Sequence, residues 1–345
     1  MRVNVGGSGS AGAAQAEALE LLNAFLGTQA LHVVAVLGVA DLLAEREMTA
    51  EELASVTGTH APSLYRLLRM LTGARVFRLK PDGRFSLGDL GHALRSDTEE
   101  SVRDWALYVG AREPWEAWGR LLDAVTTGDA GFELAHGMPT YAYLARHPEL
   151  AAPFDRWMTR QSEQHNHAIV AAFDFSAFEV VADIGGGQGS TLAAILQAHP
   201  ALRGILMDRP EVTAQAPQLL EAAGISSRCT IAAGDMLAGV PRGADLYFMK
   251  RVLMIWGDEE AIQVLAHCAA SLPEGGKVVA AEIVMPDGNA PSPAKSFDLL
   301  MLLANRGGRI RSEEEFRDLF AAAGLRLTNV IPTASPNTLL ECALA

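Results

Sequence analysis

The feature that most constrains the fold is an apolar strand pattern that runs directly into a glycine-rich turn. Residues 180–184 read Val-Val-Ala-Asp-Ile and are followed by Gly-Gly-Gly-Gln-Gly and a helical pattern ending near residue 199. A short, continuous apolar segment of this kind predicts a buried strand, and glycines permit a tight turn into a helix. The second half of the chain therefore begins as a parallel β/α unit.

Further strand patterns follow, with helical segments between them. They lie at 204–208, 229–233, 244–249 and 277–284. Strands that alternate with helices form a parallel sheet with helical crossovers, and residues 324–345 predict an added edge hairpin. The sequence thus predicts an α/β, Rossmann-like domain over 173–345.

Polar residues and glycines stand where three of these strands end. The Gly185–Gly189 loop follows the first strand, Asp208 ends the second, and Asp235 follows the third. Ligands of such sheets bind beyond the carboxyl ends of the strands. Asp208 could accept hydrogen bonds from two ribose hydroxyls, and Asp235 could bind the exocyclic amine of an adenine. We expect an adenosine-type ligand, the alternative being tight turns with ordinary surface acids.

The first third of the chain is helical. Helical spacing covers 17–30 and 32–44, and a helix over 62–71 precedes two short strands joined by Lys80-Pro-Asp-Gly. This order is typical of a winged helix, which often binds DNA. The formal net charge of −13 argues against a nucleic-acid partner, so we interpret the segment as a dimerisation domain.

Composition limits the location of the protein and its other partners. Three cysteines, far apart in the chain, fit neither a disulfide framework nor a zinc site, which predicts a reducing cytoplasm and no metal. The most apolar stretch, 30–43, is too short to span a bilayer, so no membrane partner is expected. The predicted segments are a flexible tail over 1–14, an all-helical, winged-helix-like domain over 15–127, linking helices lining a substrate pocket over 128–172, and the Rossmann-like domain.

Several motifs together resemble one known family. They are Val181-Ala-Asp-Ile-Gly-Gly-Gly-Gln-Gly, Met207-Asp-Arg-Pro-Glu-Val, Gly234-Asp-Met, Arg251-Val-Leu-Met-Ile-Trp-Gly-Asp and Gly307-Gly-Arg-Ile-Arg-Ser. The chain after the tail resembles the S-adenosylmethionine-dependent small-molecule O-methyltransferases of natural-product pathways. The resemblance implies S-adenosyl-L-methionine as cofactor, S-adenosyl-L-homocysteine as its product, a small aromatic substrate, and a homodimer through the N-terminal helices of 17–43.

The same resemblance implies a set of cofactor-binding residues. They are Ser162, Asp183, Gly185, Gly187, Asp208, Arg209, Asp235, Met236 and Lys250. Asp208 would bind the ribose, Asp235 and Met236 the adenine, and Ser162 the methionine carboxylate. Arg209 replaces the usual leucine of the family and could stack on the adenine or extend into solvent.

One departure from the family concerns the catalytic base. The family usually has Val-Leu-His-Asp-Trp near residue 254, and the histidine takes the proton from the substrate hydroxyl. Here this position is Met254, and the position of the glutamate that orients the histidine is Ile310. Neither side chain can move a proton. A glutamate left opposite Met254 would be poorly paired in an apolar pocket, so the paired loss favours altered or base-free chemistry.

Three mechanisms follow from this loss. Methyl transfer needs no base if the acceptor is already nucleophilic, such as an amine, a ring nitrogen, an electron-rich carbon or a phenolate. A second hypothesis is another base, for which the candidates are His136, His165, His167 and Glu282. A third is a non-methylating relative that keeps the cofactor and catalyses decarboxylation, hydroxylation or cyclisation. A binding protein without activity is the alternative from another class.

Large apolar residues indicate what the substrate pocket accepts. The predicted substrate-binding residues are Trp115, Phe154, Trp157, Met158, Met254, Asp298 and Met301. Trp105 and Trp118 are further candidates, although a role in the core or at a subunit interface suits them equally. The set favours a flat, apolar acceptor, and the leading hypothesis is a methyltransferase acting on an aromatic or heteroaromatic specialised metabolite.

Overall fold

The computed structural model describes residues 10–345. They form two compact units, each built from two stretches of chain. The first unit comprises 10–115 and Leu144–Trp157, and the second comprises Glu116–Tyr143 and Met158–Ala345. The chain therefore passes from one unit to the other three times.

Seventeen α-helices and nine strands lie within the described residues. The helices are α1 (Ser10–Leu22), α2 (Ala24–Val36), α3 (Val39–Glu45), α4 (Ala50–Thr57), α5 (Ala61–Gly73), α6 (Arg103–Val109), α7 (Arg112–Trp118), α8 (Leu121–Thr127), α9 (Gly131–His136), α10 (Thr140–Leu144), α11 (Pro148–Ala172), α12 (Ser190–Ala198), α13 (Pro210–Thr213), α14 (Ala216–Ala222), α15 (Asp258–Ser271), α16 (Pro293–Ala304) and α17 (Glu313–Ala322). The strands are β1 (Phe77–Leu79), β2 (Phe85–Leu87), β3 (Val180–Ile184), β4 (Arg203–Asp208), β5 (Cys229–Ala233), β6 (Leu246–Lys250), β7 (Lys277–Glu282), β8 (Leu325–Pro332) and β9 (Thr338–Leu344).

Two of the predicted segments differ from the structure. Residues 128–172 were expected to form a separate linking element, but they are divided between the two units, since α11 contributes to both. Residues 10–14 were expected in a flexible tail, but they belong to α1, which begins at Ser10. The remainder of the predicted tail, 1–9, lies outside the described residues.

The N-terminal helices are shorter and more numerous than predicted. Instead of two helices over 17–30 and 32–44, the chain forms α1, α2 and α3, with breaks at Asn23 and at Gly38. Gly38 has a φ of 65°, a left-handed conformation that glycine adopts readily. The predicted hairpin is confirmed, because β1 and β2 pair in antiparallel register.

Helices α1 and α2 present a largely apolar surface. Leu21 is 80% exposed and Leu22 is 68% exposed, and Phe25 is also exposed. By length and composition alone the stretch Gly12–Val36 could cross a membrane, and 17% of its most apolar window is buried. It differs from the stretch 30–43 that the sequence suggested as most apolar. Exposed apolar surface of this extent needs a partner, which can be a second protein chain.

The second unit contains a seven-stranded sheet in the order β5-β4-β3-β6-β7-β9-β8. Strands β3 to β7 are parallel, whereas β9 pairs antiparallel with both β7 and β8. The α/β fold and the edge hairpin are therefore as predicted. The strand order reverses between the neighbouring strands β3 and β6, because β3 is followed by β4 on one side and β6 by β7 on the other. A parallel sheet opens a ligand-binding crevice at such a point.

The sheet is buried on both faces. One apolar layer includes Tyr247, Met249 and side chains of α15 and α17, and the other includes Phe248 and side chains of α12 and α14. Continuous apolar strands such as β6 are expected for a parallel sheet covered on both sides. This core fixes the strand ends that form the candidate site.

Candidate functional site

The turn between β3 and α12 is shaped by its glycines. Gly185, Gly187 and Gly189 have φ values of 68°, 62° and 93°. A Cβ atom on Gly185 would lie 2.7 Å from Cγ2 of Val252 and 3.1 Å from Cε of Met236. The loop therefore lies close against the ends of the neighbouring strands, and a side chain at Gly185 would obstruct this approach. Helix α12 begins at Ser190, directly after this loop, so its first turn lies at the same end of the sheet.

Asp208, at the end of β4, is attached to this loop. Its Oδ2 accepts a hydrogen bond from the backbone N–H of Gly187 at 2.8 Å, and its Oδ1 accepts one from the N–H of Arg209 at 2.8 Å. The structure thus brings together two residues predicted to bind the cofactor. The Arg209 guanidinium lies 5.9 Å from the Tyr141 ring centroid and pairs with Glu211 at 3.2 Å. The sequence did not predict these partners.

Asp235 and Met236 follow β5. Asp235 is exposed, and its Oδ1 accepts a hydrogen bond from the N–H of Leu237 at 2.9 Å, which fixes the turn. Met236 is half-buried beside the glycine loop, as its contact with the position of Gly185 shows. The third predicted strand end therefore lies next to the first.

Asp183 lies beneath the glycine loop. Its side chain is 1% exposed, and among the described residues neither carboxylate oxygen has a hydrogen-bond partner. A Cβ on Gly186 would lie 2.6 Å from Asp183 Oδ2, so the absence of a side chain there makes room for the carboxyl group. Burial raises the pKa of Asp183 and lowers the pKa of Lys250, and the attraction between the two groups opposes both shifts.

Asn166 joins three parts of this site, and sequence reasoning missed it. Its Oδ1 accepts hydrogen bonds from Lys250 Nζ and from Thr191 Oγ1, both at 3.0 Å. Its Nδ2 donates to Ser190 Oγ at 2.9 Å. Asn166 is buried on α11, one turn after the half-buried Ser162. The only sequence signal was this four-residue spacing from a predicted cofactor residue.

The arrangement fits S-adenosylmethionine by its own chemistry. A cradle of glycines without side chains approaches the ends of the strands, and carboxylates at two strand ends can accept hydrogen bonds from ribose and adenine. The buried carboxyl group of Asp183 lies beneath the cradle, and its ionised form would favour a cationic ligand there. The residues present therefore match the predicted cofactor.

The two positions where the family has its base and the partner of the base lie in one apolar cluster. Met254 and Ile310 are both buried, and they pack with Ile283, Ala294 and Met301. The backbone N–H of Arg309 donates to the carbonyl of Met254 at 3.0 Å, which ties the two segments together. The proximity that the paired replacement suggested is thus present.

Buried polar groups hold the backbone around this cluster. Glu282 is fully buried; its Oε1 accepts a hydrogen bond from the N–H of Leu253 at 2.7 Å, and its Oε2 has no partner in the described part of the chain. Burial raises the pKa of Glu282 to about 7, although Arg251 and Arg311 attract its charged form. Asp298 Oδ1 accepts a hydrogen bond from the N–H of Ile310 at 2.8 Å. Both acids therefore contact main chain beside the cluster.

Arg311 is a second residue whose role the sequence did not reveal. Its side chain is fully buried and donates to the carbonyl oxygens of Leu253 at 2.7 Å and Trp256 at 3.0 Å. It also donates to Asp258 Oδ1 at 2.7 Å from Nη2 and at 3.0 Å from Nε. The motif Gly307-Gly-Arg-Ile-Arg-Ser contained this arginine, but only the fold shows that it fastens the segment carrying Met254.

The histidine candidates have different surroundings. His165 is half-buried, and burial together with the charges of Arg251 and Lys250 lowers its pKa to about 4. His167 is exposed. His136 packs on the rings of Phe132 and Tyr143, at centroid distances of 4.4 Å and 5.0 Å. A proton-transfer role for any of them stays a prediction.

The predicted substrate residues are distributed over both units. Trp115, Phe154 and Trp157 belong to the first unit, where Trp157 stacks on Trp105 at 5.7 Å and Phe154 packs on Tyr108 at 4.8 Å. Met158, Met254, Asp298 and Met301 belong to the second unit. Among residues 10–345, no three His, Cys, Asp or Glu side chains come together in a way that could hold a metal ion.

Comparison with known families agrees with the resemblance. The model of the O-methyltransferase domain matches residues 118–326, and that of the O-methyltransferase dimerisation domain matches residues 19–97. The second match includes most of the exposed apolar surface of α1 and α2 and supports the predicted homodimer. Burial against a second subunit accounts for this surface without a membrane.

Individual relatives match along most of their length. The phenazine O-methyltransferase PhzM of Lysobacter antibioticus is 40% identical over 323 residues, 94% of each chain. The 8-amino-8-demethylriboflavin N,N-dimethyltransferase of Streptomyces davaonensis is 33% identical over 317 residues, 90% of each chain. These relatives are methyltransferases, and they give no support to a non-methylating reaction.

A solved structure carries the cofactor product. It is a methyltransferase in calicheamicin biosynthesis in its S-adenosylhomocysteine-bound form. It is 36% identical, with a TM-score of 0.82, and the match covers 98% of this chain and 100% of that chain. The fold, the strand ends and these matches together show that the chain is a methyltransferase of the S-adenosylmethionine-dependent O-methyltransferase family.

Proposed function

We propose that the protein methylates a flat aromatic or heteroaromatic specialised metabolite whose acceptor atom is nucleophilic without an imidazole base. The observation that carries the proposal is the apolar cluster at Met254 and Ile310, because no side chain in the cluster can accept a proton. The relatives named above act on phenazine and riboflavin ring systems, and they transfer methyl groups to oxygen or to nitrogen. Acceptors of both kinds are therefore within the chemistry of the family.

The cofactor would be held by the strand ends described above. Asp208 would bind the ribose, Asp235 and Met236 the adenine, and Ser162 the methionine carboxylate, with Gly185 and Gly187 allowing close approach. Asp183, Lys250 and Arg209 complete the proposed set. When bound, S-adenosylmethionine supplies an electrophilic methyl group on a positively charged sulfur.

The residues of the chain then contribute alignment and exclusion of water. Met254, Met301 and Ile310 form an apolar wall, and a wall of this kind holds a ring by contact and keeps solvent from the acceptor. Since these side chains accept no proton, the acceptor must arrive as a free amine, a ring nitrogen, an electron-rich carbon or a phenolate. Trp115, Phe154, Trp157, Met158 and Asp298 are the further residues proposed to bind it.

Transfer of a labelled methyl group tests the activity directly. The dimer is incubated with methyl-labelled S-adenosylmethionine and a panel of hydroxy- and amino-substituted phenazines and naphthalenes. We expect labelled product and an equal amount of S-adenosylhomocysteine, with amines and ionised phenols preferred over neutral phenols. Product that forms without label would instead indicate a non-methylating reaction.

A double substitution tests the role of the apolar cluster. Met254→His with Ile310→Glu restores the residue types of the family, and each single variant serves as the matched control. We expect the double variant to accelerate methylation of neutral phenols, whereas the single variants, which lack one partner, do not. If transfer to every acceptor is unchanged in the double variant, the two positions do not contact the reacting centre and the proposal fails.

A further inference from the structure

Arg251 follows Lys250 directly after β6 and has an unusual backbone. Its φ is 55°, a left-handed conformation that residues with a Cβ keep only where the surrounding contacts require it. The N–H of Arg251 donates to the carbonyl of Ala281 at 3.0 Å, and its Nε donates to Asn337 Oδ1 at 3.0 Å. The chain itself therefore fixes the direction of this side chain.

The partner of Nε is itself immobilised. Asn337 is 1% exposed and lies at the end of the turn between β8 and β9. Its side-chain Nδ2 donates to Ser335 Oγ at 3.1 Å, and its backbone carbonyl accepts a hydrogen bond from Thr333 Oγ1 at 2.6 Å. A rigid acceptor thus holds one nitrogen of the Arg251 guanidinium. Within residues 10–345, neither terminal nitrogen of that group has a hydrogen-bond partner.

The free end of Arg251 lies at the border of the apolar cluster. Its guanidinium carbon is 5.9 Å from the ring centroid of Phe297, and Phe297 packs against the cluster that contains Met254 and Ile310. Glu282 attracts this charge, but among the described residues the two side chains form no ion pair, and Oε1 of Glu282 accepts the N–H of Leu253 instead. Arg251 is half-buried, and its terminal N–H groups have no acceptor in the described part of the chain. The planar fork of arginine matches a carboxylate or a phenolate oxygen, so these two nitrogens are suited to donate to an anionic group of a ligand.

We propose that Arg251 is a specificity-determining residue that binds an anionic oxygen on the aromatic acceptor, either a carboxylate or a phenolate. The proposal rests on the proposed function, because it requires the acceptor to lie against the cluster of Met254. A phenolate held in this way would already be ionised, so it would need no imidazole base. A carboxylate held in this way would anchor the ring while another atom accepts the methyl group.

Binding measurements with S-adenosylhomocysteine present separate the two sources of the anion. The carboxylate probe is 1-hydroxy-2-naphthoate, with its methyl ester as the neutral counterpart. The phenolate probe is 4-nitro-1-naphthol, used at a pH below its own pKa, where the free probe is neutral and binding of the ionised form raises the visible absorbance. If Arg251 binds a carboxylate, we expect the wild-type protein to bind the naphthoate more tightly than its ester. If it binds a phenolate, we expect the protein to increase the visible absorbance of the nitronaphthol.

Variants assign the effect to Arg251. We expect Arg251→Gln to lose about tenfold to hundredfold in affinity for the preferred anion, with little change for the ester. Arg251→Lys should keep part of the preference, because it retains the charge without the fork. Arg326→Gln, an exposed arginine on β8, is the matched control. Affinity for S-adenosylhomocysteine, measured alone, verifies that each variant is folded.

Several results would overturn the proposal. One is equal affinity for the naphthoate and its ester together with no increase in the visible absorbance of the nitronaphthol. Another is an equal loss of affinity for charged and neutral probes in Arg251→Gln. The third is that no anionic probe binds. If Arg251→Gln also loses affinity for S-adenosylhomocysteine, the Arg251→Lys variant decides. Equal affinity of that folded variant for the anionic probe and for the neutral probe would then count against the proposal. These measurements involve no turnover, so failure here leaves the labelled-methyl test of the proposed function unaffected.

Discussion

Glu282→Gln tests whether a buried carboxyl group beside the apolar cluster limits the stability of the protein. The Glu282 side chain is fully buried; Oε1 accepts the N–H of Leu253, and Oε2 has no partner among the described residues. Glutamine retains an acceptor for Leu253 and has no charge to remove from water. We therefore expect the variant to be more stable than the wild type at alkaline pH.

The size of the effect follows from the pKa of Glu282. Burial raises it from 4.5 to about 7, so the folded protein holds this proton over a wider pH range than the unfolded chain does. The contribution of the protonated group to stability is complete below 4.5 and is lost as the pH rises through about 7. At 1.36 kcal/mol per pKa unit, ionised Glu282 destabilises the folded state by about 3 kcal/mol at most.

Urea unfolding at a fixed protein concentration measures this difference, since the stability of a dimer depends on concentration. We expect the wild type and Glu282→Gln to differ little near pH 4, and their separation to grow by up to about 3 kcal/mol near pH 8. Glu274→Gln, at an exposed position of the same unit, is the matched control and should follow the wild type. Parallel curves for Glu282→Gln and wild type across this range would falsify the reasoning.

Three other predictions concern the cofactor site and the dimer. Asn166→Leu should weaken the binding of S-adenosylhomocysteine about tenfold, as measured by calorimetry, because Lys250 loses its acceptor. Gln164→Leu, on the exposed side of α11, should leave the affinity unchanged, and equal affinities of the two variants would refute this role of Asn166. Gly185→Ala should lower the melting temperature more than Gly187→Ala does. Both glycines have positive φ, but only a Cβ atom at Gly185 would lie within 4 Å of a neighbouring atom. Equal shifts in melting temperature would contradict this explanation. Leu21→Glu should convert the dimer to monomer in light scattering, because it places a charge on an apolar face, and an unchanged dimer would place the interface elsewhere.

Local patterns were sufficient to predict the sheet and its ligand-binding edge. Apolar runs such as 180–184 have one stable environment, a strand buried on both faces, and the adjoining glycines fix the turn that follows. The positions of Asp208 and Asp235 then follow from the rule that parallel strands end on the same side. The paired replacement at Met254 and Ile310 could also be recognised from the sequence, because both positions lie in motifs of the family.

Contacts distant in sequence could not be predicted. Asn166 and Arg311 act through partners on other elements, and neither a four-residue spacing nor a place in a motif shows what those partners are. Asp183 lies beneath the glycine loop, at a depth that spacing along the chain does not encode. The start of α1 and the division of 128–172 between two units depend likewise on tertiary packing.

The way the main chain is fastened around Met254 has a consequence for how this site can change. The carbonyl of Leu253 is held by Arg311, its N–H by Glu282, and the N–H of Ile310 by Asp298, so none of these bonds uses the side chain of residue 254 or 310. The residues that hold the main chain here are therefore different from residues 254 and 310. The side chains at these two positions can be exchanged for another pair while the hydrogen bonds that hold the surrounding main chain stay in place.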